Sequence, residues 1–194
     1  DAQINIKGGN FNSNPANYVV AGYKGVEENG IWTVVVDPAA KIGETEYASL
    51  QEAFNVGGEI TLLRDVTIAE TVVLAEGKTV VLDLNGKTLA AVDKNTIKNN
   101  GGNLTLKNGT VTRTGDVVGY SVNNASGEIN VVDATVERGL YTSGSKMTAT
   151  NANISHEQSS RHAIYAWDCE VTINSGTFHN DNAGNATLMA SGSS

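Results

Sequence analysis

The three histidines of the chain are its most versatile chemical groups, and they fall in two short stretches. One holds His156, Glu157, Arg161 and His162; the other holds His179 and Asp181. An imidazole beside a carboxylate can move protons, and two imidazoles with an acid can hold zinc. The spacing argues against both. His156 and His162 have five residues between them and match no compact ligand pattern, so no metal, cofactor or catalytic residue is expected. Two charged loops remain, with Tyr165 and Trp167 nearby as aromatic surfaces for a glycan. Trp167 and Cys169 follow the strand that opens at Ile164 and read as a partly buried corner. A calcium-dependent lyase needs several carboxylates on one face, and a glycosidase needs a close pair. Asp83, Asp133 and Asp168 sit at different phases of the chain's repeat and form no such cluster.

That repeat is what brings the two loops together. Val122, Ile129 and Val136 mark one copy; Ile97, Leu104, Val111, then Leu140, Met147, Ile154, then Ile164, Val171, Phe178 mark others. Between the second and third marks each copy carries a turn: Asn108-Gly109, Asp133-Ala134, Asn151-Ala152, Ser175-Gly176. Constant spacing inside the copies, with a variable gap between them, predicts a solenoid. Marks at 60, 82, 104, 129, 147 and 171 give about 22 residues per coil, the length of a three-sided parallel β-helix. The gaps run 112–121, 137–139, 155–163 and 179–187, so insertions gather at one corner, and that corner holds every histidine. The polar turn residues recur in frame and are expected to form side-chain ladders. Thr105, Asn130, Thr148 and Thr172 give only an interrupted threonine ladder, which argues against an ice-binding surface.

Composition supports an all-β chain: 21 glycines, 2 prolines and 6% aromatic residues in 194 suit short strands and tight turns. A net charge of −8 makes nucleic acid an improbable partner, and no apolar run is long enough for membrane insertion. The single cysteine cannot close an intrachain disulfide.

The segments before the coils read as ends. Residues 1–36 form an end-cap unit: a half-coil, a helix over Pro15–Ala21 and a hairpin turning at Asn29-Gly30. Ile4, Ile6 and Phe11 reproduce Val171, Ile173 and Phe178, and Gly8-Gly9 replaces Ser175-Gly176. Residues 37–58 are a linker and a helix with the capping box Ser49-Leu50-Gln51-Glu52. Residues 59–194 are the β-helix. Leu188 should open one more coil, and joining Ser194 to Asp1 would complete it with the chain's own opening half-coil. Closure within one chain is opposed by distance. Six coil steps span roughly 29 Å, against roughly 26 Å for the stretched linker. Head-to-tail association through Ile4, Ile6, Phe11 and Leu188 is therefore expected, the competing reading being that both ends belong to a longer tandem array.

YASLQEAF at 47–54, followed by EITLLRDVTI and TVVLDLNGKTL, resembles the opening of β-helical modules from large surface proteins of gut bacteria. IKGGNFNSNPANYVVAGY, closing with IWTVVV, is similar to the segment that ends such modules. The coils beyond are generic for the right-handed, pectate-lyase-like parallel β-helix. The resemblance implies a cell-surface or extracellular structural and adhesive module, with copies of itself, a glycan or a host surface as partners. The alternative it leaves open is a carbohydrate-binding or polysaccharide-degrading domain using His156, Glu157, Arg161, His162, Trp167, His179 and Asp181.

Overall fold

The computed structural model describes residues 3–20, 22–143, 145–158, 161–182 and 184–192. It is a parallel β-solenoid of about five turns, with about 24 residues per turn and one short helix. Three strand stacks form the faces. Face 1 contains Gly58–Leu62, Thr79–Asp83, Ser145–Thr150 and Glu170–Ile173; face 2 contains Val66–Ile68, Thr88–Val92, Ala152–His156 and Gly176–Asn180. Face 3 contains Val72–Leu74, Leu140–Ser143, Ile164–Trp167 and Leu188–Ser191. The long strands Ile97–Thr114 and Val122–Glu137 each pass through all three faces.

Alternate side chains of each strand point inward and stack in columns. On face 3 the column is Val72, Ile97, Val122, Leu140, Ile164, Leu188. On face 1 it is Val80, Leu104, Ile129, Met147, Val171, and on face 2 Val66, Leu89, Val111, Val136, Ile154, Phe178. The frame read from sequence holds from Leu104 onward but slips by two residues before it. Leu82 stacks on Leu106, not Leu104. A two-residue slip keeps every side chain on its own face, so alternation alone does not reveal it.

In four coils the corner between faces 1 and 2 turns on a left-handed residue, Asn85, Asn108, Asp133 or Asn151, with φ between 48° and 59°; Asn85 is followed by Gly86 at 73°. Asn and Asp tolerate this conformation because their short side chains bond locally. Asn108 Nδ2 donates to Asp83 Oδ1 at 3.2 Å, and Asn151 Nδ2 to Asp133 Oδ1 at 2.6 Å. The ladder expected at these turns is present, and it occupies two of the acids considered for chemistry.

A second ladder is internal. Asn99 Nδ2 donates to Asn124 Oδ1 at 2.7 Å, and Asn124 Nδ2 to Thr142 Oγ1 at 3.0 Å; all three residues are fully buried. Asn99 also exchanges bonds with the backbone of Gly102, where the pairing of neighbouring coils is interrupted by a bulge. The amides thus satisfy backbone groups that the bend takes out of the sheet.

Helix α1 (Leu50–Val56) closes one end of the solenoid. Ser49 and Glu52 form the expected capping box, and Leu50, Ala53 and Phe54 are buried against the first coil. Gln51 Oε1 accepts from the Val73 N–H at 2.7 Å while its Nε2 donates to the Val73 carbonyl at 3.0 Å. One side-chain amide thereby stands in for a missing strand. The hairpin Ala40–Ile42/Thr45–Tyr47 pairs antiparallel with face 1 at the same end.

Residues before 37 form a separate three-stranded antiparallel sheet, with Gly9–Phe11 and Tyr23–Glu28 on either side of Ile31–Val36. Asn29 and Gly30 make the hairpin turn, both with positive φ. The helix predicted over Pro15–Ala21 is only a 3-10 turn at Ala16–Tyr18. The Tyr18 carbonyl accepts from the Ile6 N–H and the Val20 N–H donates to the Ile6 carbonyl, so these groups are taken from any helix. Ala21 and the Ser194–Asp1 junction lie outside the described residues. Asp37 ties this sheet to the first coil, bonding Lys24 at 2.9 Å and Arg64 at 2.8 Å.

Ile129 is fully buried in the face 1 column. Ile129→Asp should destabilise the fold by about 3–5 kcal/mol, read as a shift of the urea midpoint. Asn124→Ala should cost about 1–3 kcal/mol by removing the buried bonds it makes with Asn99 and Thr142, despite removing little apolar surface. A parent-like midpoint for either variant would contradict the inward register.

Candidate functional site

The corner between faces 2 and 3 is uneven. Seven residues (115–121) connect the faces in one coil, two (138–139) in the next, then seven (157–163) and seven (181–187). Arg138 and Gly139 make the short corner by adopting φ of 62° and 70°. A Cβ at residue 139 would lie 2.7 Å from His156 Cδ2 and 2.8 Å from the Ala163 carbonyl, so glycine is needed there for space as well as for backbone geometry. The flanking long loops lean over this notch and touch. His156 Nε2 bonds the Gly119 carbonyl at 3.0 Å, and the Gly119 N–H donates to Gln158 Oε1 at 3.3 Å.

His156 is therefore a structural group, only 1% exposed. Its Nδ1 accepts from the Gln158 N–H at 3.1 Å, which puts the proton on Nε2 and makes the ring a neutral bridge. Its edge packs on Tyr120, with ring centroids 5.5 Å apart. Burial lowers its pKa, with Arg138 and Arg161 adding to the effect and the Gly119 carbonyl opposing it.

On one side of the notch is a polar groove of about 280 Å³ lined by Arg113, Arg138, Glu137, Glu157 and Asp181 with hydroxyl side chains. Glu157 Oε1 holds Arg138 Nε at 2.7 Å. Arg113 is 4% exposed and donates from Nη2 to the Val117 carbonyl at 2.9 Å. Burial, then the nearby Arg138, lowers the pKa of its guanidinium, while Asp93 counteracts them. His179 and Asp181 bond one another at 2.5 Å and are both exposed.

On the other side is a cleft of about 410 Å³ lined by Tyr120, Tyr141, Tyr165, Arg161 and His162. Tyr141 and Tyr165 are register partners on adjacent strands, with centroids 5.5 Å apart, and Tyr120 continues the row 6.0 Å from Tyr141. The Arg161 guanidinium carbon lies 5.8 Å from the Tyr120 ring centre, and the His162 ring 5.7 Å from that of Tyr165. Burial raises the Tyr120 pKa, while a bond from the His162 backbone and the charge of Arg161 partly offset that rise.

The seven candidate loop residues thus separate. Arg161 and His162 share the aromatic cleft; Glu157 and Asp181 share the polar groove; His156 is part of the wall. His179 is at the outer edge with Asp181. Trp167 ends its strand 43% exposed and lines neither depression, so of the partly buried corner expected at Trp167 and Cys169 only Cys169 fits. Cys169 is half-buried, its thiol 3.8 Å from the Thr142 carbonyl. Among the described residues no three His, Cys, Asp or Glu side chains are grouped to hold a metal ion, and no helix is long and apolar enough to cross a membrane.

The sequence reading missed Tyr120, Tyr141, Arg113 and Arg138. Tyr141 had a signal: it follows Leu140 as Tyr165 follows Ile164, the same position in two successive copies. Comparison with protein-family models, curated proteins and solved structures finds no match for this chain.

The His156 pKa shift fixes the sign of a pH effect. Because the folded value lies below the unfolded one, the unfolded chain takes the proton first. Stability is lost as pH falls below about 6.5, down to the folded pKa. Melting temperatures of the parent and His156→Gln should therefore converge between about pH 7.5 and 5. A constant difference would mean that His156 titrates as if in water.

Proposed function

We propose that the chain is a non-catalytic structural and adhesive β-helix module of an extracellular bacterial surface protein, associating head to tail. In this reading residues 1–36 of one copy cover the last coil of the next. The observation that carries it is the contrast between the two ends of the columns. On face 3, Leu140 and Ile164 are at most 1% exposed, but Leu188, stacked on Ile164, is 45% exposed. Ile173 and Met189 are exposed beside it. The other end is closed by α1, and beyond it the small sheet carries its own exposed apolar residues: Ile4, Tyr18, Val26, Ile31 and Val36. Large exposed apolar residues concentrated at two ends favour an interface there.

The repeat suggests how the ends meet. Gly9–Phe11 is an edge strand of its sheet, and in the repeat frame it matches 176–178. Gly9 has φ of 109° and Gly176 of 136°, so the N-terminal strand enters from a corner conformation much like that of the last coil. Parallel pairing of its free edge with Gly176–Asn180 of another copy would place Phe11 over Phe178 and Ile4 near Val171. Both are strand edges of the kind that proteins normally cover. A contact between two different surfaces propagates, which makes a filament. The resemblance of the end segments to surface-protein modules is what supports the extracellular setting.

Leu188→Asp and Val36→Asp alter residues exposed in the single copy and should leave the melting temperature close to that of the parent. Each variant alone should stop growth at monomers. Mixed, they should form a 1:1 dimer by sedimentation, because each retains one intact end. A parent that stays monomeric at about 1 mM, or a Leu188→Asp variant that assembles like the parent, would overturn this reading.

A further inference from the structure

We infer that the cleft of Tyr120, Tyr141, Tyr165, Arg161 and His162 is a binding site for a pyranose sugar bearing an anionic substituent. It lies on the outward side of face 3, with Tyr165 one strand short of the last coil, and is built from residues of a single copy. Tyr141 and Tyr165, with centroids 5.5 Å apart and planes tilted by 55°, make a stepped aromatic shelf along the coil axis, and Tyr120, only 9% exposed, continues the row beneath Arg161. Tyr141 and Tyr165 are half-buried, held by strand register, and need little ordering before a ligand arrives. A sugar presents an apolar C–H face to such rings while its hydroxyls meet the phenolic oxygens.

The charge in the cleft selects among sugars. Among the described residues no carboxylate lines it, although the whole chain carries −8. The acids of this corner, Glu137, Glu157 and Asp181, belong to the polar groove instead. Arg161 supplies a planar donor fork suited to a carboxylate or sulfate oxygen pair. His162 Nδ1 bonds the Ala186 carbonyl at 2.7 Å and so carries the proton, leaving Nε2 to accept from a sugar hydroxyl while the ring is neutral. Cation and aromatic surface together in an acid-free cleft favour an anionic sugar over a neutral one, and oppose a cationic ligand.

Isothermal titration calorimetry of the full chain with three hexasaccharides tests this. A hyaluronan fragment carries carboxylates, a κ-carrageenan fragment carries sulfates, and cellohexaose is neutral. At least one anionic probe should bind about tenfold or more tightly than cellohexaose, and its Kd should rise several-fold from about 20 to 200 mM NaCl. The preferred probe identifies the anion. Arg161→Gln and Tyr141→Ala should each weaken that binding about tenfold or more. Tyr141→Phe, which keeps the ring, should stay within about threefold, as should Trp167→Ala, which lies outside the cleft. Far-UV circular dichroism and melting of each variant separate lost binding from lost fold. No heat from either anionic probe at about 5 mM, equal affinity for cellohexaose, or unchanged binding by folded Arg161→Gln would overturn the assignment.

Discussion

Each buried aliphatic side chain in this solenoid is covered chiefly by its counterparts one coil above and one below. That nearest-neighbour stacking is the constraint on which the rest of the molecule depends. A fully buried Leu or Ile contributes about 1.5–3 kcal/mol, and an interior coil such as that of Val122, Ile129 and Val136 has neighbours on both sides. A terminal coil has one neighbour, so its apolar residues and its backbone edge both need a substitute. At the helical end each need is met by a different device. Leu50, Ala53 and Phe54 supply the apolar lid, and the Gln51 amide supplies the donor and acceptor that Val73 would otherwise lack. At the far end Val171 and Phe178 are only partly buried and Leu188 stands open.

Stacking also determines where variation is tolerated. The column residues of faces 1, 2 and 3 must meet their counterparts, so a coil can gain or lose residues only between them. The one short coil loses residues at the corner between faces 2 and 3, where 138–139 replaces the seven residues of its neighbours. The neighbours then close over the gap, and His156, Tyr120 and Gly119 make the contacts that the missing loop leaves available. The two depressions lie on either side of that short corner. The polar groove and the aromatic cleft flank a wall of buried groups, and the pKa shifts of Arg113, Tyr120 and His156 all have burial as their largest cause.

The fold was legible where side-chain chemistry and spacing coincide. Asn108, Asp133 and Asn151 mark corners because few other residues accept a left-handed backbone, and the Ser49/Glu52 capping box marks a helix by hydrogen-bond geometry alone. The first coils were misaligned because alternation has period two, so Leu82 fits two neighbouring positions of one face equally well. The inner ladder was hidden for another reason. Asn99 and Asn124 sit two residues after Ile97 and Val122, a constant offset, yet nothing in a polar residue's identity says that it points inward. The cleft was half legible. Arg161 and His162 could be assigned to a loop, whereas Tyr120 joins them only because a loop of another coil folds across the short corner.

End-on addition of copies would add one cleft per copy along face 3, which has a physical consequence for adhesion. A shallow aromatic cleft on a rigid shaft is expected to hold one sugar weakly, since much of the ligand stays solvated. Linked sites convert later binding events into intramolecular ones, so overall avidity can exceed that of a single site by orders of magnitude if the spacing of the ligand permits. The rigidity that stacking imposes then becomes useful. A solenoid fixes the distance between successive clefts, and a polymeric ligand with a regular repeat gains from a fixed distance where a flexible linker would dilute the effect.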